Sequence, residues 1–259
     1  MHIVLLIDWI IFVIFRIARA FYNLWADIIL AFYQNSNWEE LNKACYKRAN
    51  FYGAKSLQLG LFLWEKLVID QYLPKVPAKI LVLAAGSGRE AEYLINKNYT
   101  VIACEIVDNF REKLSILLSK SKENKTYPYS FFDIVNNKSI QEELRSDAVL
   151  IGHGAISHIP KRSEQVLLLK RITQICPDGV IIFSWLKYKK QPNYRRKWRI
   201  LIYKLTGRKI SKFKEYLYPC GPVHYANTNF MKSLIRDSGL DIVHYDDKST
   251  YAHAVCRKI

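Results

Sequence analysis

The stretch AKILVLAAGSGREAEYLINKNYTVIACEIVDNF, residues 78–110, contains an apolar run, two glycines at Gly86 and Gly88, a helix-like segment and a second apolar run ending on Glu105. Residues 79–84 read as a buried strand, 88–97 as a helix and 100–105 as a second strand. A strand that enters a glycine turn and then a helix aims backbone N–H groups at one spot, which suits a nucleotide-like ligand. Gly-x-Gly alone also suits a bare tight turn. The third glycine of the dinucleotide fingerprint is missing, because Glu90 and Ala91 stand there. Glu105, at the tip of the second strand, can accept from both hydroxyls of a ribose. That acid also serves NAD, so the two features leave two cofactor classes open.

The alternation continues downstream. A helix is expected over 109–120, a strand at about 128–133, a strand at 147–152, a helix at 162–176 and a strand at 179–185. A last helix covers 228–239, and strands at 240–246 and 251–258 are close enough to pair antiparallel. Continuous apolar strands between helices predict an α/β fold, a doubly wound, mostly parallel seven-stranded sheet with helices on both faces and the last strand antiparallel. Asp133 is expected at the end of the third strand beside Phe132. An acid there can accept from an exocyclic adenine amine while apolar neighbours sandwich the ring. LIGHGAISHIP (150–160) follows the fourth strand, outside the carboxyl ends where ligands bind such sheets.

With these residues in place, the chain over about 78–259 resembles the class I S-adenosylmethionine-dependent methyltransferases. The resemblance includes PDG (177–179) before the fifth strand and the final strand pair. It implies S-adenosyl-L-methionine as cofactor, Ala85, Gly86 and Gly88 cradling its methionine part, Glu105 holding its ribose, Phe132 and Asp133 at adenine, and His153 near the methyl donor. The first position of the family's glycine motif is often acidic, and here it is Ala84. His153 and His224 are the candidate catalytic bases, and His158 and Tyr225 also fall in loops near the expected mouth. The Asn/Asp-Pro-Pro-aromatic sequence of enzymes that methylate exocyclic nitrogens is absent, with GHGA (152–155) in its place. The expected reaction is therefore methyl transfer to a hydroxyl or carbon of a small or lipid-like acceptor. An RNA-directed enzyme and an inactive membrane-associated binding protein of the same fold are the alternatives.

Upstream, residues 1–34 read as an apolar helix and 35–77 as a helical extension. IVLLIDWIIFVIF (3–15) is interrupted only by Asp8, and thirteen residues are too short for a span. Carried further at about 100° per residue, Asp8, Arg16, Arg19, Asn23, Asp27 and Gln34 share one narrow stripe. The expected form is one long helix, or two broken near 18–20, lying in a membrane surface or buried against the domain or a partner subunit. A signal peptide fits poorly, because no basic region precedes the apolar run. In the extension, Ser36 or Asn37 before Glu39 and Glu40 signals a helix start, and a second helical pattern stops at Pro74 and Pro77.

The formal charge is +16. Residues 187–214 hold twelve cations and no acid: Lys187, Lys189, Lys190, Arg195, Arg196, Lys197, Arg199, Lys204, Arg208, Lys209, Lys212 and Lys214. With the interleaved Tyr188, Tyr194, Trp198, Tyr203 and Phe213, this segment suits an anionic membrane, nucleic acid or a phosphorylated ligand. The insert 187–225 is expected as a helical lid over the sheet's carboxyl edge. The five scattered cysteines form no C-x-x-C pair, so no metal site is indicated. The expected location is the cytoplasm, peripheral at the inner face of the membrane; the oligomeric state stays open.

Overall fold

The computed structural model describes residues 2–32, 38–48, 58–159, 161–187, 193–207, 214–218, 221–249 and 251–259. Ser36, Asn37, Pro160, Tyr188, Lys189, Lys190, Arg208, Lys209, Lys212, Phe213 and Cys220 lie outside the described residues.

The central strands are β1 (Lys79–Leu83), β2 (Thr100–Cys104), β3 (Lys125–Tyr127), β4 (Ala148–Ile151), β5 (Val180–Trp185), β8 (Leu240–Asp246) and β9 (Ala252–Lys258). They form one seven-stranded sheet in the order β3-β2-β1-β4-β5-β9-β8. Pairing is parallel from β3 to β5, and β9 runs antiparallel to both β5 and β8. The expected sheet is borne out. Its strands read as unbroken apolar runs because each successive residue enters one of two cores. Leu81, Leu83, Ile102, Val149, Ile151, Ile181 and Phe183 face one of them. Ile80, Val82, Val101, Ala148, Leu150, Val180 and Ile182 face the other.

Helices α4 (Arg89–Asn96) and α5 (Asp108–Leu118) cover the second face, joined by α3 (Leu63–Tyr72) from the extension. Helices α6 (Phe131–Asn136), α7 (Lys138–Glu143), α8 (Arg162–Ile175) and α10 (Thr228–Asp237) cover the first. The strand expected at 128–133 is the main departure. Strand β3 ends at Tyr127, before Pro128, which has no N–H to give a ladder. Ser130 then caps α6: its hydroxyl accepts from the Asp133 amide, and the Asp133 carboxylate accepts from the Ser130 amide. Asp133 is thus a capping residue in the first turn of a helix and does not end a strand.

Helix α1 (His2–Phe32) is continuous, with no break at 18–20, and α2 is Trp38–Arg48. The thirteen-residue apolar run is too short to span, but the unbroken helix corrects that expectation: Trp9–Leu30, 22 residues, is long and apolar enough to cross a membrane. The basic insert contains α9 (Asn193–Leu205) and a hairpin of β6 (Lys214–Tyr218) and β7 (Gly221–Tyr225), the latter not anticipated. Helix α9 and strand β6 pack on α1, while β7 packs on α2.

Candidate functional site

The sheet order reverses between β1 and β4, so their carboxyl ends diverge and leave a crevice. A cavity of about 270 Å³ occupies it. Its floor is the turn after β1. Ala84 (φ 54°), Gly86 (φ 56°) and Gly88 (φ 101°) all adopt left-handed conformations there. A Cβ on Gly86 would meet no atom within 4 Å, so this glycine supplies the turn and leaves its cavity side open. Gly88 does something else. A Cβ there would lie 2.8 Å from Leu117 Cδ2 and 3.0 Å from Leu114 Cδ1, so Gly88 brings α4 against α5. The cavity is lined by Leu83 to Ser87 but not by Gly88, which corrects the expectation that Gly88 touches the ligand.

Glu105 lies directly beyond β2 and is 6% exposed. Its Oε2 accepts from the Gly86 amide (2.7 Å) and its Oε1 from the Val107 amide (2.8 Å). Burial pushes its carboxyl above the ordinary value, against these two amide bonds. The carboxylate therefore ties the β1 turn to the β2 turn and still presents lone pairs to the cavity. Phe110, Phe131 and Phe132 add aromatic faces, with Ile106 and Val107. Asp133 is exposed, committed to its cap and outside the lining, so the expected adenine contact is not where the sequence placed it. Glu39 does line the cavity. Burial raises its carboxyl, and the charge of Asp133 adds to the shift.

The roof was not foreseen. It comes from the N-terminal extension: Trp38, Glu39, Asn42 and Tyr46 of α2, then Leu59 and Phe62 before α3. Among the described residues, none of the basic insert lines the cavity, and the wall over the carboxyl edge comes from α2. His158 holds the roof down. Its Nδ1 donates to Pro222 O (3.0 Å), which leaves Nε2 to accept from the Tyr46 hydroxyl (2.9 Å), while Asn42 Nδ2 donates to His158 O (3.4 Å). Burial lowers the His158 imidazole to about 4. Trp38 is 1% exposed and its indole N–H, beside the cavity, has no hydrogen-bond partner among the described residues. A buried orphan donor in a cavity wall is a place where a ligand acceptor belongs.

His153 lines the cavity against Phe62 and Tyr251, with ring centroids 5.3 Å and 4.4 Å away. Its Nδ1 is buried and 3.7 Å from Glu65 Oε1. Glu65 is fixed in turn. Arg89 grips it through Nη1–Oε2 (2.8 Å) and Nη2–Oε1 (2.6 Å), and the Phe62 amide donates to Oε2 (2.8 Å). Burial works to raise the Glu65 carboxyl, but His153, the Arg89 guanidinium and the Phe62 amide together hold it below its ordinary value. Trp38, Asn42, Tyr46, Glu65 and Arg89 were all missed as site residues; the only local signal was the helix start before Glu39.

His224 is excluded as a base that meets a ligand. It is 3% exposed on β7, outside the cavity lining, with Nε2 2.8 Å from Gln165 Nε2. Burial lowers it to about 3, and His158 contributes. Both histidines stay neutral in the fold and take up a proton near pH 6.5 once unfolded. Their stabilising effect is complete above that pH and is lost as pH falls toward 4. Stability should drop by about 1.4 kcal/mol per pH unit for each histidine over that window. Urea midpoints at pH 7 and pH 5 measure this, and replacing both histidines with Gln should flatten the dependence. Equal midpoints for the natural protein at the two pH values would contradict the burial account.

No protein-family model matches the chain, and no curated protein matches it in sequence. Solved structures match its fold. A SAM-dependent methyltransferase from Methanosarcina mazei superposes with a TM-score of 0.57 at 14% identity, covering 77% of this chain and 99% of that one. The 1,6-didemethyltoxoflavin N1-methyltransferase of Burkholderia thailandensis, solved with its acceptor and S-adenosylhomocysteine, gives 0.52 at 16%, covering 82% and 80%. A putative zinc-dependent alcohol dehydrogenase from Rhodobacter sphaeroides gives 0.59 at 10%, covering 83% and 98%, so the likeness is one of fold and not of a single activity. The strand order, the crevice between β1 and β4 and these superpositions together show that the chain has the fold of the class I S-adenosylmethionine-dependent methyltransferases.

Proposed function

We propose that this protein transfers a methyl group from S-adenosyl-L-methionine to a hydroxyl or carbon of a small, amphiphilic acceptor, at the inner face of a membrane. The observation that carries the reading is Glu105: a buried carboxylate, held by the Gly86 and Val107 amides, at the tip of β2 and facing the crevice. The Ala84–Ser87 turn takes the methionine part, Glu105 the ribose hydroxyls, and Phe131 and Phe132 the adenine ring. With Asp133 engaged in its cap, the exocyclic amine falls to Glu39. Bound there, S-adenosylmethionine supplies an electrophilic methyl on a sulfonium.

The chain's own residues do the rest. The apolar roof of Trp38, Leu59 and Phe62 excludes water and suits an acceptor with an apolar body. With Nδ1 buried beside Glu65, Nε2 of His153 is the nitrogen left to take the proton that an acceptor hydroxyl must lose. Glu65, clamped by Arg89, is a positioning residue that stabilises the imidazolium so formed. Of the α9 cations whose side chains are described, Arg199 pairs with Asp27 of α1, Lys197 and Lys204 are exposed, and none lines the cavity, which favours a small acceptor over RNA.

A methyl-transfer assay with radiolabelled donor against lipid, small-molecule and RNA extracts of the source cell tests the reading. Label is expected in the lipid or small-molecule fraction, and label confined to RNA would overturn it. His153→Asn should lower kcat roughly 100-fold or more and leave cofactor affinity unchanged, and Glu65→Gln, which removes the carboxylate beside Nδ1, should lower kcat with the acceptor KM unchanged. Full activity of His153→Asn would remove the base.

A further inference from the structure

The chain carries a net charge of +16, yet the cavity does not share it. Among the described residues, Arg89 is the only lysine or arginine in the lining, against Glu39, Glu90 and Glu105. Arg89 is also committed. Its Nη2 donates to Glu65 Oε1 (2.6 Å) and Glu90 Oε1 (2.7 Å), and its Nη1 donates to Glu65 Oε2 (2.8 Å). His158 is neutral, because burial lowers it to about 4. A carboxylate or phosphate on an acceptor would lose its water here and find no uncommitted cation, which is costly. The cavity therefore selects against anions.

What the wall offers is an unused donor. Trp38 lines the cavity, is 1% exposed, and its indole N–H has no hydrogen-bond partner among the described residues. A tryptophan buried only for packing usually finds a partner for this group, since a buried orphan donor has given up its water for nothing. The faces of α2 say which ligand it serves. Trp38, Asn42 and Tyr46 are four residues apart and share one face. Asn42 and Tyr46 bond to His158, in the loop after β4 that also carries His153. Glu39 stands on the neighbouring face, where it bonds to Ser130 and feels the charge of Asp133, at the adenine end. The Trp38 donor thus belongs with the β4 loop, where the acceptor lies. A carbonyl oxygen accepts such a bond without adding a donor of its own to the apolar wall of Leu59, Phe62, Ala155 and Ile159.

We infer that the acceptor is an uncharged hydroxy-carbonyl compound: its hydroxyl meets His153 Nε2, and its carbonyl oxygen accepts from the Trp38 indole N–H. Trp38 is then the residue that sets the acceptor's class and orientation. The inference rests on the methyl-transfer reading above and names the acceptor class for that same site.

The test titrates the ortho, meta and para hydroxyacetophenones into the full-length protein, alone and saturated with S-adenosylhomocysteine, while NMR follows the indole N–H signals. The matching ethylphenols lack the carbonyl oxygen, and the matching hydroxybenzoates carry a negative charge. At least one ketone is expected to bind about tenfold more tightly than its ethylphenol and its hydroxybenzoate. It should also move the indole signal that Trp38→Phe removes. Trp38→Phe keeps a ring in the wall, so it should erase the ketone's advantage over the ethylphenol and leave S-adenosylhomocysteine affinity within about twofold. Should that variant fail to fold, the ligand series on the natural protein decides alone. Equal binding of ketone and ethylphenol, tighter binding of a hydroxybenzoate, a ketone preference that survives Trp38→Phe, or no binding of any ketone would overturn the inference. So would movement of the Trp38 signal by S-adenosylhomocysteine alone, which would give the donor to the cofactor. Failure of S-adenosylhomocysteine to bind the natural protein would instead count against the methyl-transfer reading, and the ketone preference measured without it would be judged separately.

Discussion

Glu105→Ala is expected to weaken S-adenosylmethionine binding on the order of 100-fold. The carboxylate would lose two charge-assisted bonds to ribose hydroxyls, at about 1.5–3 kcal/mol each. Stability should change less than affinity. Removing the side chain orphans the Gly86 and Val107 amides, which costs free energy, but it also relieves the burial that pushes this carboxyl upward. Calorimetric titration of the cofactor, beside thermal unfolding of the same variant, separates the two effects. Unchanged affinity would remove Glu105 from the site.

Gly152→Ala should be the more damaging change to the fold. A Cβ at this position would stand 2.4 Å from Ala84 O and 3.1 Å from Leu83 O, both backbone atoms that cannot swing aside. The Gly152 amide donates to Leu83 O at 2.8 Å, so the β4 loop crosses the β1 turn at closest approach where the crevice opens. Forcing them apart should cost roughly 3 kcal/mol, near the top of the usual overpacking range, and should displace the Ala84–Gly86 turn enough to lose the cofactor. Gly239→Ala is the comparison. Gly239 is left-handed (φ 73°) with no atom within 4 Å of an added Cβ, so its cost should be about 1 kcal/mol. Urea denaturation of both variants checks the difference, and equal losses would show that the close crossing is not what Gly152 serves.

What was legible in the sequence lay where function and local pattern coincide. The runs 79–84, 100–105 and 179–185 announced strands because both faces of the sheet are covered and their central residues, 80–83, 101–104 and 180–185, are buried. Glu105 was legible because a carboxylate directly after an apolar strand has few structural uses. FFDIV (131–135) misled because a short apolar run has no period of its own; the Ser130-x-x-Asp133 capping box was the signal that it begins a helix. On α9, Trp198, Leu201, Ile202 and Leu205 showed helical spacing, but the spacing could not say that Ile202 turns inward while Leu201 and Leu205 face out.

The roof was illegible for a different reason. Asn42 meets His158 across 116 residues of chain, and no local pattern carries such a contact. Gly221, at φ 110°, permits it from the other side: a Cβ there would lie 2.2 Å from Asn42 Oδ1. His153 and His224 looked alike in sequence, and burial on β7 alone disqualifies the second. The stripe through Asp8, Arg16, Arg19 and Asn23 to Asp27 was readable, but not that Asp27 turns inward while Arg16 and Arg19 stay exposed. That depended on Arg199, far along the chain, reaching Asp27.

Isothermal titration of the full-length protein with S-adenosylhomocysteine, with NADH in a parallel cell, tests the central claim most directly. One-site binding of S-adenosylhomocysteine in the micromolar range, roughly 8 kcal/mol, with no heat from NADH, is the predicted result. Tight NADH binding without S-adenosylhomocysteine binding would contradict it.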